Sequence, residues 1–359
     1  MYDYKSLLES YKSGEQHMSH SQISKYANCP KSWWYYMVAR LQLNRIDTMV
    51  GKRTLGKLIH MGLDQAIRRR LPNSQVPGSF TLKDMYKVWY TEEIESFQDG
   101  ILPEELTMLQ DLIFQAEAIV PKVIRELDLD NNKWETLHDK DGEPIIEYEL
   151  YSELPNGVKM LSYVDWAVRD LDTGQVFIID FKTTGRKKST YDLEVQVSGI
   201  YNIALQQAGI IDDHAEAIII EIDSKELKRP TLNKDGSMSK AMLHTTWDIY
   251  KSELLDNELD PDDYIDMRRK LMDIKFVTQH RVLRTKVESI NIWNNRSTIV
   301  DQIMESLSKE KDEVFPANLN NTMCNSCEFL EACKEDIAGF GFQELVNAGI
   351  YSIKDKSGR

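Results

Sequence analysis

Two aspartates and a lysine stand where chemistry can be read from spacing. Asp165 and Asp180 flank the run Asp170-Leu171-Asp172-Thr173-Gly174-Gln175, and Lys182 follows Asp180 by two positions. A four-residue turn over 171–174 makes Asp170 face Gln175, and counting outward in antiparallel register sets Asp165 directly opposite Asp180. Strand alternation then brings Lys182 to the same face. Opposed side chains have Cβ atoms about 5 Å apart, where two like charges destabilise a sheet unless something neutralises them. A divalent cation does so, and magnesium characteristically takes one or two carboxylates and leaves the rest of its shell to water and phosphate oxygens. Such a cation polarises a phosphate ester and acidifies water, while an ammonium group steadies developing negative charge. That is the chemistry of phosphodiester hydrolysis. A lone aspartate is ordinarily a solvated strand end, but Asp180 closes the apolar run Val176-Phe177-Ile178-Ile179, where a buried strand seldom admits a charge.

The four cysteines raise a second question. Cys324, Cys327 and Cys333 form C-x2-C-x5-C, and Cys29 lies at the opposite end of the chain. The first residues are polar and acidic, and no run approaches the ~18 apolar residues of a membrane span, so a cytosolic protein is expected. Disulfides are rare there, which leaves buried thiols or metal ligands. Spacing of this kind suits zinc and iron-sulfur ligation equally.

The elements that must position these groups divide the chain. Residues up to about 130 read as helical, with Leu55, Ile59, Leu63, Ala66 and Ile67 at helical spacing, further helices over 86–97 and 104–127, and a loop over 72–79. Between 145 and 223 the pattern turns to β-rich runs at 145–151, 158–168, 176–182 and 217–222, with a helix over 190–208. Residues 225–240 read as a loop, 247–307 return to helical periodicity, and the last 40 or so carry three cysteines, one helix and a charged tail. The expected organisation is a helical region over 1–140, an α/β core over 141–223, a helical insertion over 224–320 and a C-terminal clasp and tail over 321–359.

At 359 residues, one large domain with insertions and two intimate domains are both open. A hydrophobic content of 42% and a charged content of 28% exclude disordered and collagen-like classes. The net charge of -14 opposes broad electrostatic attraction to DNA. Local basic runs exist at 68–70 and 186–188, each by default a solvated surface. An acidic protein can still act on DNA where its cleft is locally basic and a cation offsets its carboxylates.

Asp165 followed by Asp180-Phe181-Lys182 resembles the D…(D/E)xK signature of the RecB-like branch of the PD-(D/E)XK nucleases. Ser19-His20-Ser21-Gln22-Ile23 with Tyr26, Cys29 and Pro30 resembles the opening motif of that branch, and Gly56-Lys57-Leu58-Ile59-His60 its helical G-x-x-x-H. The resemblance implies a restriction-endonuclease-like α/β core, a mixed sheet flanked by helices, with helical additions at both ends. It makes His60 a metal ligand beside Asp165 and Asp180, for magnesium or manganese, with Lys182 assisting catalysis. Gln196, which interrupts the apolar face of Leu193, Gly199, Ile200 and Ile203, matches the family glutamine and is expected to be buried and hydrogen-bonded, touching substrate or its attacking water. The family tyrosine follows four residues later; here Tyr201 follows by five, which in an α-helix puts it on another face. Ser162 stands where a glycine often precedes the first aspartate, and either Glu147 or Glu149 matches an upstream family glutamate.

One N-terminal and three C-terminal cysteines resemble the iron-sulfur clasp of AddB and the CRISPR-adaptation nucleases. That resemblance implies a [4Fe-4S] cluster on Cys29, Cys324, Cys327 and Cys333, with zinc as the alternative. The implied function is a metal-dependent DNA nuclease, a single-strand or end-directed exonuclease in recombination, repair or phage DNA metabolism, beside a helicase or recombinase. The competing readings are a catalytically idle scaffold subunit for such a partner and a zinc-stabilised nucleic-acid-binding module.

Overall fold

The computed structural model describes residues 3–44, 48–72, 74, 76–96, 103–131, 134–184 and 194–354. The basic run 186–188 and the start of the helix expected from Thr190 lie outside them. Helices α1 (Tyr4–Ser13), α2 (His20–Asn28), α3 (Pro30–Met37), α4 (Thr48–Arg68), α5 (Leu82–Ser96) and α6 (Pro103–Glu126) fill the first part of the chain. Two short strands interrupt them, β1 (Met18–Ser19) and β2 (Leu41–Leu43), and a third, β3 (Trp134–Thr136), follows α6. Hydrophobic periodicity cannot detect pieces so short, which correct the purely helical expectation for this region.

Strands β4 (Ile146–Glu153), β5 (Lys159–Asp170), β6 (Val176–Thr184) and β7 (Glu216–Asp223) follow, close to the four β-rich runs expected. Strand β8 (Val277–Val282) was not expected, because 247–307 read as helical. Its burial shows why: most of it is half-buried or exposed at the edge of the sheet, so it lacks an apolar run. It pairs antiparallel with β7, which pairs parallel with β6. Helices α7 (Asn202–Gln207), α8 (Trp247–Asp256), α9 (Ile265–Asp273) and α10 (Lys286–Ser308) complete the main layers. The far end folds back through β9 (Tyr351–Ile353), which pairs antiparallel with β2 and so ties the two ends of the chain together.

Strand β5 organises the sheet. One of its edges carries β4 along 159–166 and β3 along 168–170. The other carries β6 from Arg169 to Trp166 and, farther along, β1 at Met160 and Leu161. Between these last two the edge is open, so β5 and β6 diverge after the Trp166–Ile179 pair. A fork in the sheet results.

Each face of the sheet packs against helices. On one side Leu55, Leu58, Ile59, Leu63 and Ile67 of α4 meet Trp166, Ile179, Phe181 and residues of α6. Their spacing puts them on one helical stripe, and each buried side chain stabilises the fold by roughly 2 kcal/mol. Leu58 is fully buried, so Leu58→Ala should cost about 2–5 kcal/mol. Gly56 lets α4 approach β6, since a Cβ there would meet Thr183 Oγ1 at 2.9 Å. On the other side Trp33, Trp34, Val164, Ala167, Ile178, Ile200 and Val300 form the larger core. A third, smaller cluster joins Met238, Trp247, Tyr250, Tyr264 and Leu271.

Candidate functional site

The hairpin joining β5 and β6 has the expected register. Asp170 N–H donates to Gln175 carbonyl at 2.8 Å, and the pairs run through Ala167–Ile178 to Trp166–Ile179. The turn is locally encoded: Asp170 Oδ1 accepts the backbone N–H groups of Asp172 and Thr173, and Gly174 has φ +72°. One step beyond the last pair come Asp165 and Asp180. Here the ladder stops, because Asp165 Oδ2 itself accepts the N–H of Phe181 at 2.7 Å. The first aspartate thus takes the place of a backbone partner and holds the fork open.

Strand alternation also breaks at this point. Met160 and Val164 pack in the larger core, whereas Trp166 and Val168 pack against α4, although all four fall on alternate positions of one strand. On the neighbouring strand Ile146 belongs to the α4 side and Tyr148 packs against the other. Glu147, between them and across from Asp165, has φ +45°, a conformation that non-glycine residues seldom adopt. Such distortions re-aim side chains next to active sites.

Three ligand-type side chains converge as a result. His60, Glu147 and Asp165 each offer an atom within 4.8 Å of the others. His60 Nδ1 lies 2.8 Å from Glu147 Oε1 and 3.7 Å from Asp165 Oδ2. The histidine reaches in from α4, where its ring meets the Phe181 ring edge-on at 6.2 Å. Asp180 is fully buried and stands beside this group, paired with Lys182. Lys182 Nζ is 3.0 Å from Asp180 Oδ1 and 2.9 Å from Oδ2, but the second contact lacks hydrogen-bond geometry, leaving Oδ2 with an open lone pair in the interior. The convergent trio therefore differs from the set expected from the sequence: Glu147 joins His60 and Asp165, while Asp180 faces the lysine.

The electrostatics follow from burial. Desolvation, reinforced by the neighbouring Asp180 charge, pushes Asp165 up to about 7. Burial raises Asp180 as well, against the opposing pull of Lys182. Burial alone would lower His60, but the Glu147 hydrogen bond and the Asp165 charge outweigh it and carry the imidazole up to about 9. Desolvation likewise works against a charged Lys182, and the two aspartates overcome it, so the lysine stays an ammonium and donates rather than accepts. The buried carboxylates of Asp165 and Asp180, the half-buried Glu147 and a histidine are a donor set suited to a hard divalent cation.

Gln196 and Tyr201 provide a clear correction. Residues Val195–Tyr201 form a π-helix, whose i→i+5 bonding makes residues five apart neighbours along one face. Gln196 Nε2 donates to Tyr201 Oη at 2.6 Å. The extra residue between them is absorbed by the wider turn, so the tyrosine returns to the face that α-helical counting denied it. It also senses the site: burial first, then the Asp180 and Asp165 charges, holds its hydroxyl well above the ordinary phenol range. Gln196 is half-buried and hydrogen-bonded.

The basic run 68–70 is not a free patch. Arg68 donates to Asp64 at 2.6 Å and to the Ile146 carbonyl at 2.8 Å, and Arg70 is held by Ala66 carbonyl and Asp130.

The four cysteines, although distant in sequence, line one small cavity with Leu319, Phe329 and Leu330. No three of their sulfurs come within 4.8 Å of one another. Four thiolates on one zinc ion at about 2.3 Å would stand roughly 4 Å apart, so the sulfurs do not form a zinc-sized set. Burial pushes the Cys333 thiol up to about 11, with Cys29 and Cys327 adding to the shift.

No helix among the described residues is long and apolar enough to cross a membrane. None of the curated proteins matches the chain. Among solved structures, the crystal structure of SSO0001 is similar at 12% identity over 68% of this chain and 94% of that one, with a TM-score of 0.29. Protein VC1899 from Vibrio cholerae is similar at 14% identity over 70% of this chain and 56% of that one, with a TM-score of 0.20. The profile of the PD-(D/E)XK nuclease superfamily matches residues 17–334, a span from the strand before α2 to the last cysteine. A mixed sheet flanked by helices, with acidic groups gathered where two of its strands part, is the fold that match requires, and the chain belongs to the PD-(D/E)XK nuclease superfamily.

Proposed function

We propose that this protein is a metal-dependent DNA exonuclease acting on single strands or free ends, in recombination, repair or phage DNA metabolism. The observation that carries the reading is the fork itself, where His60, Glu147 and Asp165 converge beside the buried Asp180 and its ammonium partner Lys182. These residues would hold magnesium or manganese, which supplies polarisation of the scissile phosphate and acidification of water. Lys182, kept protonated by Asp180 and Asp165, stabilises negative charge on the phosphate as a P–O bond to water forms. The P–O bond to the leaving sugar oxygen breaks, and that oxygen takes up the proton that the attacking water gives up. Gln196, hydrogen-bonded to Tyr201, lends its amide to substrate or to the attacking water.

For the cysteine end we propose a [4Fe-4S] cluster held by Cys29, Cys324, Cys327 and Cys333. What supports this reading is that the four cysteines, distant in sequence, line one cavity. Its role is structural, since hydrolysis moves no electrons.

The test is product mapping on 5'- and 3'-end-labelled oligonucleotides with magnesium or manganese, comparing wild type with Asp180→Ala. Metal-dependent shortening from one end by wild type alone supports the reading. Intact DNA in both, or equal loss in both, would favour the scaffold.

A further inference from the structure

Beyond the trio, β4 and β5 keep one face of the sheet open to solvent. Leu150, Met160 and Val164 point into the larger core, so the residues between them turn the other way, toward the side from which His60 reaches in. There Glu149 stands opposite Tyr163, and Tyr151 opposite Leu161. The Glu149–Tyr163 pair lies two residues beyond Glu147 and Asp165, about 7 Å along the strands. Tyr163 is 50% exposed and Tyr151 49%, although Leu150, Ser152, Met160, Ser162 and Val164, which alternate with them, are all buried.

These rings are held in place. Both phenol hydroxyls donate to the Glu149 carboxylate, Tyr163 to Oε2 at 3.4 Å and Tyr151 to Oε1. The His17 ring packs against Tyr151 at a centroid distance of 4.7 Å. One carboxylate thus fixes two aromatic side chains that remain half exposed, so little conformational freedom is lost when a flat group settles on them. The face is not built for phosphate, since Glu149 and Glu153 are acidic and Lys159 is the one Lys or Arg among the outward residues of the two strands between 149 and 163. A flat, uncharged group with a π-face is what it accepts, and every nucleobase offers one.

We propose that Tyr151 and Tyr163 form a stacking platform for unpaired bases of the DNA strand whose phosphodiester lies at the fork. The inference rests on the nuclease reading and deepens it. The rings adjoin the trio on the same two strands, so a backbone seated at Asp165 brings its neighbouring nucleotides over them, and only a strand with unpaired bases has free faces to offer.

The experiment measures binding of single-stranded oligonucleotides in calcium, with 2-aminopurine moved along the strand, and cleavage of the same series in manganese. For wild type, 2-aminopurine within about two nucleotides of the cut, on one side of it, should be quenched on binding, and elsewhere much less. Tyr163→Ala and Tyr151→Ala should each weaken single-strand binding about tenfold and erase that local quenching, while binding of a closed circular duplex changes by less than about twofold. Tyr163→Phe keeps the ring and drops the hydroxyl, so it should bind single strands within about twofold of wild type. Both positions are half exposed, and melting temperatures should stay close to that of wild type. Equal single-strand binding by wild type and both alanine variants, in a protein that still cleaves, overturns the platform and leaves the nuclease reading standing. A loss in Tyr163→Phe as deep as in Tyr163→Ala also overturns it, because ring area would then not be what binds. A wild-type dimer that the alanine variants turn into a monomer, with DNA binding unchanged, overturns it in favour of a second copy on this face. Neither binding nor cleavage of any strand overturns both.

Discussion

At the fork, ligand atoms from α4, β4 and β5 already stand within 4.8 Å of one another; at the cysteine cavity, four sulfurs share a wall and no three approach so closely. The physical difference lies in what fixes the backbone. His60, Glu147 and Asp165 ride on a long helix and two paired strands whose positions are set by the sheet and by the packing of Leu58, Ile59 and Phe181. Cys324 and Cys327 sit in and beside the short helix Asn321–Cys324, Cys333 in the helix Leu330–Ile337 and Cys29 at the junction of α2 and α3, so the four sulfurs ride on short separate pieces and not on one sheet. One set is preorganised by the fold, while the other would depend on the proposed cluster to draw it together. Removing a fork residue should therefore spare the fold and remove the chemistry, and removing a cysteine should do the reverse.

The largest effect should come from Asp180→Ala, expected to lower DNA cleavage about 10³-fold or more with the circular dichroism of the folded protein unchanged. Unfolding of this variant would break the contrast between the two regions. Next, Cys324→Ser should abolish iron incorporation and lower the melting temperature by about 5 °C or more, while cleavage per folded molecule stays within about twofold. A loss of cleavage as deep as that of Asp180→Ala, in a still-folded Cys324→Ser protein, would show that the two regions are not separable.

The pH response of the metal-free protein sharpens the comparison. Asp165 is raised to about 7 from 3.8 and His60 to about 9 from 6.5, so the folded state holds more protons than the unfolded chain between those limits. The stability from protonated Asp165 is fully present below about pH 4 and lost as pH rises through 7; that from His60 is present below 6.5 and lost through 9. Melting temperature without metal should fall from pH 6 to pH 9, and manganese should flatten the slope. A melting temperature that climbs over this range would contradict the assigned couplings. The smallest effect is expected for Tyr201→Phe, which deletes the acceptor of the Gln196 hydrogen bond and should slow cleavage only about fivefold, with stability nearly unchanged.

Much of this was legible in the chain. The 171–174 turn, its glycine and the alternating strands beyond fix a register that leads directly to Asp165 and Asp180, because local turn geometry propagates along paired strands. Gly56 and His60 declare a helix that must pack closely and present an imidazole, since the apolar stripe of α4 leaves little choice of orientation. Four cysteines at 29, 324, 327 and 333 announce a shared site.

Tertiary structure decided the rest. The face exchange at Glu147 and Asp165 violates period-two alternation, so counting, which did set Lys182 beside Asp180, could not bring Glu147 into the trio. The π-turn overrode the helical period that separated Gln196 from Tyr201, and the edge strand β8 had no apolar run to announce it. Sequence patterns encode which groups a regular element presents, because periodicity is a local property. Where strands fork, bulge or widen a helical turn, the competition between packing and hydrogen bonding with distant segments sets the outcome, and that competition exists only in the folded chain.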